Sequence, residues 1–291
     1  MPIAYIQRTR ERYAGYRPYR WVVNTDAPWT PLARPLVDCR LALVSVGGFY
    51  LDGQPPFTDN DPSYRLIPKS TDLKDLRVYH HAYRDDDVDR DPNCVFPLER
   101  LRELETAGVI GELADAALSF VNLYSARREL TERVPRIVAE MKRLGADAVL
   151  LVPVCPVCHQ SVGLIAREIE KSGTPTLCMS SAFDVSFAVR APRTVFVNFP
   201  LNHQTGKAND APLQRRILLD ALRAFETFWA PGQILCLPYV WDPDDASWED
   251  ADYGPGAELY GIGRAVQGGY TERPLRRAQP AVNGASEGGT A

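Results

Sequence analysis

The chain has 291 residues, 45% of them apolar and 24% charged, proportions that exclude wholesale disorder, collagen-like fibres and coiled coils. Its net charge of −4 (33 basic against 37 acidic residues) argues against nucleic-acid binding, which normally goes with a basic excess. No apolar run approaches the roughly 18 residues that span a bilayer, and the polar opening MPIAYIQRTRERYAGYRPYRW lacks the apolar centre of a signal peptide, so a cytoplasmic protein without membrane partners is expected.

Residues 1–40 are aromatic, basic and broken by proline, and read as an irregular N-terminal arm packed on the body. Leu41–Val46 is a short apolar run ended by Gly47 and Gly48, the pattern of a buried strand. Residues 52–75 read as a long loop, a kind that is usually functional inside a compact domain. Leu76–Tyr79 predicts a second strand with His80 and His81 at its end. Pro97 opens a short helix closed by Gly108. Over 126–144 a longer helix places Leu130, Val134, Ile137, Val138, Met141 and Leu144 on one face. Ala148–Val152 reads as a central strand, followed by a helix near 156–171. Strands at Thr176–Met179 and Thr194–Val197 follow, then a helix over about 212–229 with Asp210 as N-cap. Strands alternating with amphipathic helices predict an α/β fold, a mainly parallel sheet flanked by helices in Rossmann-like or flavodoxin-like layers. The expected division is an arm (1–40), an α/β domain (41–240), an acidic irregular segment (241–270) and a disordered tail (271–291).

The sharpest motif is Val154-Cys155-Pro156-Val157-Cys158-His159, between a predicted strand and the helix it opens. With Pro156 in the first turn, Cys155 falls at the N-cap, where unsatisfied N–H groups and the helix dipole favour a thiolate. Cys158 is one turn on, within disulfide reach, so the pair can supply a nucleophile and a resolving thiol, and His159 is placed to stabilise the thiolate. Tetrahedral zinc is the competing use, with Cys155, Cys158, His81 and His159 as ligands. No second C-x-x-C and no H-x₃₋₅-H accompanies the motif.

Other candidates gather at the same predicted sheet edge. His80 and His81 are expected to act as acid or base. Asp61 and Arg65 lie in a polar stretch where Arg65 suits a bidentate grip on a carboxylate. Asn198 and His203 follow another predicted strand and are expected to bind substrate. Phosphate-binding glycine loops, a nucleophile elbow and H-E-x-x-H are absent. Cys39, Cys94, Cys178 and Cys236 stand alone and read as packing.

Four strings carry a family resemblance: ALVSVGGFYLDGQPPF, NDPSYRLIP, HHAYRDDDVDRDPNCVFPLERLRELETAGVIGELA and VLLVPVCPVCHQSVGLIAREIEKSGTPT. From about Tyr5 to Leu222 the chain resembles the selenoprotein B family, the substrate-specific subunits of glycine, sarcosine, betaine and D-proline reductases. In that likeness Cys155 takes the selenocysteine position of a U-x-x-C-x-x-C loop, Cys158 the first cysteine, and Ser161 replaces the last. The resemblance implies reductive cleavage of a carbon–nitrogen bond, with support from partner subunits bearing a pyruvoyl group, a selenoprotein carrier and thioredoxin. Here sulfur, a weaker nucleophile and poorer leaving group, replaces selenium, and no pyruvoyl-forming cysteine context is evident.

The resulting expectation is a thiol-dependent oxidoreductase acting on a small polar, amino-acid-like substrate. It needs no bound cofactor, draws on an external dithiol or thioredoxin-like donor, works with other reductase-type subunits and forms a homo-oligomer. Two alternatives stay open: a zinc-dependent enzyme using the ligands above, and a non-catalytic subunit that binds a small ligand for a partner.

Overall fold

The computed structural model describes residues 2–12, 14, 18–79 and 87–250, and, as backbone alone, 85–86 and 273–274. Within the arm, expected to be irregular throughout, a short helix α1 (Tyr5–Arg12) forms. The body begins with β1 (Arg40–Ser45), β2 (Phe49–Leu51), β3 (Arg65–Pro68) and β4 (Leu76–Val78), then α2 (Asp85–Arg90), α3 (Leu98–Thr106), β5 (Glu112–Leu113) and β6 (Ala116–Ser119). Next come α4 (Ala126–Arg128), a π-helical turn at Glu129–Arg133, α5 (Val134–Arg143), β7 (Ala148–Val152), α6 (Pro156–Lys171), β8 (Thr176–Ser180) and α7 (Phe183–Val189). The order ends with β9 (Arg193–Phe196), α8 (Ala211–Leu222), α9 (Ala224–Thr227), β10 (Gln233–Cys236) and β11 (Arg273–Pro274).

The main sheet runs β10-β9-β8-β7-β1-β6-β3, with β5 also pairing β1. All its pairings are parallel except β3 against β6, as the alternation of strands and helices predicts. β3 was expected to be loop, and it forms because Leu66 and Ile67 pair in register with Leu118 and Ala117. Strands β7 and β8 are buried along their whole length, the mark of a sheet covered on both faces. A smaller antiparallel sheet, β11-β4-β2, stands beside it.

From β1 the chain builds outward through β6 and then returns to β7 on β1's other side. The strand order therefore reverses between β1 and β7, and in such sheets ligands bind beyond the carboxyl ends at that point. The ends of β1, β7, β6 and β4 are tied together there: Val46 N–H donates to Val152 O (3.1 Å), Gly48 N–H to Phe120 O (3.1 Å) and Tyr79 N–H to Gly48 O (2.9 Å). Gly48 has φ +68°, and a Cβ there would lie 2.3 Å from Tyr79 O, so only glycine closes this turn.

The predicted 126–144 helix is continuous but re-phased. The π turn adds a residue to one turn, which leaves Leu130 38% exposed and turns Glu129 and Arg133 inward, at 1% and 0%. Leu130 is therefore not on the buried face that the periodicity predicts. The arm is held by a second buried pair, Arg193–Glu170 (2.5 Å), whose carboxylate also receives Thr30 N–H and whose guanidinium stacks 3.6 Å from the Trp29 ring.

Candidate active site around Cys155 and Cys158

Residue 155 ends the segment that leaves β7, and its backbone is extended (φ −103°, ψ 171°) as an N-cap requires. Pro156 takes the first helical position, where its missing N–H costs nothing. The Cys155 sulfur accepts the Cys158 N–H at 3.2 Å, doing what a serine or aspartate oxygen does at other helix starts. Cys155 and Cys158 form a disulfide with their Cα atoms 5.0 Å apart, and both are fully buried.

His159 is braced at both nitrogens by backbone. Its Nε2 accepts the Ser181 N–H at 3.0 Å, which leaves the ring proton on Nδ1 for Cys155 O at 2.7 Å. Burial pushes this imidazole down to about 4, the bond to Cys155 O offsetting only part of the shift. The ring therefore ties the ends of β7 and β8 together as a neutral group, and neither nitrogen is left to bond a sulfur or a metal.

The side chain beside the sulfurs is one the sequence reading passed over. Asn122, beyond the end of β6, points Nδ2 at Cys158 Sγ (3.7 Å), while its Oδ1 accepts Tyr124 N–H (2.8 Å) and Ser161 Oγ–H (3.3 Å). Glu129 pairs with Arg133 at 3.1 Å, and Arg133 lies 4.4 Å over the Phe120 ring and donates to Asp61 O at 2.5 Å. Two sets of buried polar contacts result: Asn122 with Cys158 and Ser161, and Glu129 with Arg133 and the loop before β3. On the opposite side Gln160 bonds the Tyr19 hydroxyl (2.7 Å) and Val22 N–H (2.6 Å), seating the arm on α6. Asn122 follows a strand that has no recognisable alternation, and Tyr19 looks like one aromatic among many; neither carries a signal in sequence.

The other expected residues are placed differently. All five N–H donors of Arg65 are used inside its own loop, on Pro55 O, Pro56 O, Ser63 Oγ, Tyr64 O and the Asp61 carboxylate. Arg65 is thus a buried loop organiser with no donor left for a substrate carboxylate, and Asp61 is its partner. His203, beyond β9, bonds Asp87 Oδ2 through Nε2 (3.0 Å) and packs 4.6 Å from Trp241. The same loop reaches the motif through Gln204, whose amide N–H donates to Val154 O (3.2 Å). Asn198 follows β9 and is half-buried. His80 and His81 lie outside the described residues, as does most of the acidic segment and tail. Among the described residues no group of three or more His, Cys, Asp or Glu side chains comes together in a metal-holding arrangement, and His159 does not complete the zinc set that its spacing suggests.

The string DPNCVFPLER is a structural knot. Asp91 caps the turn before α3 through Asn93 N–H (3.1 Å) and holds Gln214 Nε2 (2.7 Å), while Asn93 O accepts Thr205 Oγ–H (2.5 Å). It anchors the loop that carries His203 and Gln204.

Residues 27–154 match the model of the glycine/sarcosine/betaine reductase selenoprotein B family, a match that stops one residue before Cys155. Over 222 residues the chain is 32% identical to the D-proline reductase subunit gamma of Acetoanaerobium sticklandii, covering 75% of this chain and 92% of that one. The chain belongs to the selenoprotein B family. Among other members, it is 29% identical over 210 residues to the glycine reductase complex component B subunit gamma of Carboxydothermus hydrogenoformans (69% of this chain, 48% of that one). It is 25% identical over 219 residues to the sarcosine reductase complex component B subunit beta of Peptoclostridium acidaminophilum (72% and 50%). This selenoprotein B family member spans about half the length of these last two relatives. No solved structure matches it. Its relatives are reductase components, which supports an oxidoreductase role.

Proposed function

We propose that this chain is a substrate-processing reductase subunit in which Cys155 and Cys158 carry out reductive cleavage of a carbon–nitrogen bond in a small amino-acid-like molecule. The observation that carries the reading is the Cys155 sulfur at the N-cap of α6, accepting the N–H of the cysteine that can resolve it. Helix N-termini stabilise a thiolate and so lower its pKa.

The electrons balance in two displacements. The Cys155 thiolate attacks the substrate α-carbon; a C–S bond forms, and the C–N bond breaks with its electron pair on nitrogen, which leaves as the protonated amine. The Cys158 thiolate then attacks Cys155 Sγ. An S–S bond forms, and the C–S pair passes to carbon, which takes a proton. The carbon gains two electrons, the dithiol becomes the disulfide seen here, and an external dithiol or thioredoxin-like donor restores it. His80 or His81, following Tyr79 at the Gly48 turn, serves as the acid for the carbon, and activation of the leaving amine is the work of a partner subunit.

Both sulfurs are buried, so turnover requires them to be uncovered, and the Gln204 tether to Val154 O is one bond that opening breaks. The test is mass spectrometry of a Cys158→Ser protein incubated, with its partner subunits, with D-proline, glycine, sarcosine or betaine. A substrate-derived mass on the Cys155 peptide is expected. Cleavage that proceeds with Cys155 unmodified would overturn the reading.

A further inference from the structure

Among the described residues, three buried side-chain oxygens at the carboxyl edge of the sheet have no hydrogen-bond partner: Gln204 Oε1, Asn202 Oδ1 and Ser181 Oγ. Gln204 is 0% exposed and the other two are 3% exposed. Folded proteins retain few such groups, because an acceptor taken out of water and left unpaired is costly.

The three lie on the loops beyond β8 and β9, and both loops are tied to the residues that lead into α6. Gln204 Nε2 donates to Val154 O (3.2 Å). That bond fixes the sense of the carboxamide, so Oε1 is an acceptor, one carboxamide's width from the residue before Cys155. Ser181 gives its N–H to His159 Nε2 (3.0 Å), and His159 Nδ1 in turn holds Cys155 O (2.7 Å). The consecutive carbonyls of Val154 and Cys155 are thus held by the two loops that carry the unpaired oxygens. His203, next to Gln204, gives its Nε2 to Asp87 Oδ2 (3.0 Å), so it does not serve Oε1. A carboxylate or phosphate brings only acceptors and is repelled by an amide oxygen. An amine N–H is the complement that Oε1 lacks.

We propose that Gln204 is a specificity-determining residue whose Oε1 accepts an N–H from the substrate nitrogen that cleavage releases, with Ser181 Oγ and Asn202 Oδ1 as further acceptors. This deepens the functional reading above and rests on it. Opening the loop breaks the bond to Val154 O and admits the substrate; closing remakes that bond and gives Oε1 its donor. The nitrogen end of the substrate is turned towards Gln204 and the carboxylate away from it. A fully N-methylated substrate has no N–H to offer and leaves the buried acceptors unpaired. Sites built to bond a substrate N–H reject an analogue lacking it by about 10⁴–10⁵-fold. The substrate class that follows is a primary or secondary amino acid, not a quaternary ammonium.

The experiment is a competition in the complex assembled with its partner subunits, between an N–H substrate and its fully N-methylated form at equal concentration. The pairs are D-proline against N,N-dimethyl-D-proline, and glycine or sarcosine against betaine. The product ratio reports the ratio of kcat/KM, and the native complex should favour the N–H form by about 100-fold or more. Gln204→Met, similar in size but without the acceptor, should lower that ratio by about tenfold or more. Gln204→Glu keeps an acceptor while losing the bond to Val154 O, and should retain the preference. A merely structural role would slow both forms alike and leave the ratio unmoved. Should Gln204→Met fail to fold, Gln204→Asn withdraws the acceptor by one methylene and must lower the ratio in the same direction. The proposal is overturned by a native complex that cleaves both forms alike, by a ratio unchanged in the folded Met or Asn variant, or by a preference lost equally in Gln204→Glu; the redox pair stands in each case. Cleavage of none of these substrates, or cleavage with Cys155 unmodified, overturns the functional reading and this one together.

Discussion

Nε2 of His159 accepts the backbone N–H of Ser181, and that single bond decides what the histidine is. An imidazolium cannot accept there, so protonating the fully buried ring breaks the brace between the ends of β7 and β8. The folded state holds this ring at about 4 against an ordinary 6.5. The unfolded chain therefore binds more protons in that window, so stability is full above about pH 6.5 and is lost as pH falls towards 4. At about 1.4 kcal/mol per unit the loss is on the order of 3 kcal/mol. Urea denaturation midpoints should fall over this range in the wild type and stay level in His159→Gln. Parallel curves would contradict the neutral brace.

Asp87 gives the opposite chemistry at lower pH. The His203 hydrogen bond pulls its carboxyl down to about 2 from 3.8. A depressed carboxyl stabilises the fold above its unfolded value, so this contribution disappears as pH drops from about 4 to 2. The carboxyl is 32% exposed, so the contribution is discounted to about 1–2 kcal/mol. Wild type should exceed Asp87→Asn in melting temperature at pH 5, and the two should converge near pH 2. An undiminished gap at pH 2 would show that the bond does not depend on the charge.

Asn122 holds the resolving sulfur. Replacing it with alanine removes the N–H aimed at Cys158 Sγ, a loss of about 1 kcal/mol or roughly fivefold in thiolate population. In the reduced protein, iodoacetamide should label Cys158 about fivefold more slowly at neutral pH, with labelling of Cys236 as the internal reference. Equal Cys158 rates would remove Asn122 from the site.

Gly163 sets how closely α7 approaches α6. A Cβ there would lie 2.4 Å from Val189 Cγ1, so Gly163→Ala forces the helices apart at a cost of about 1–3 kcal/mol. Urea denaturation should register that loss while Cys155 and Cys158 still close their disulfide. A variant as stable as the wild type would mean that α7 yields freely.

What the sequence makes legible is local. Proline after Cys155, an apolar strand before it and an amphipathic helix after it specify the N-cap, and the structure places it there. The parallel strands are readable because burial on both faces leaves runs such as Ala148–Val152 wholly apolar. Charge pairing across long separations leaves no such trace. Arg65 looks like a free carboxylate grip because nothing local says that Pro55 and Pro56 will turn their carbonyls towards it. Glu129 and Arg133 look like a solvated i,i+4 pair, and only the π turn swings them inward and Leu130 outward. His159 follows Cys158 directly and so suggests a thiolate partner, but its ring is aimed by Ser181, 22 residues further on.

The most direct test of the account is reductive cleavage by the complex assembled with its partner subunits, comparing the native chain with Cys155→Ser. Serine preserves the N-cap bond to the Cys158 N–H, so fold and assembly should be retained. The account predicts that cleavage falls to background while circular dichroism and co-purification of partners are unchanged. Cleavage at the native rate in that variant would contradict it.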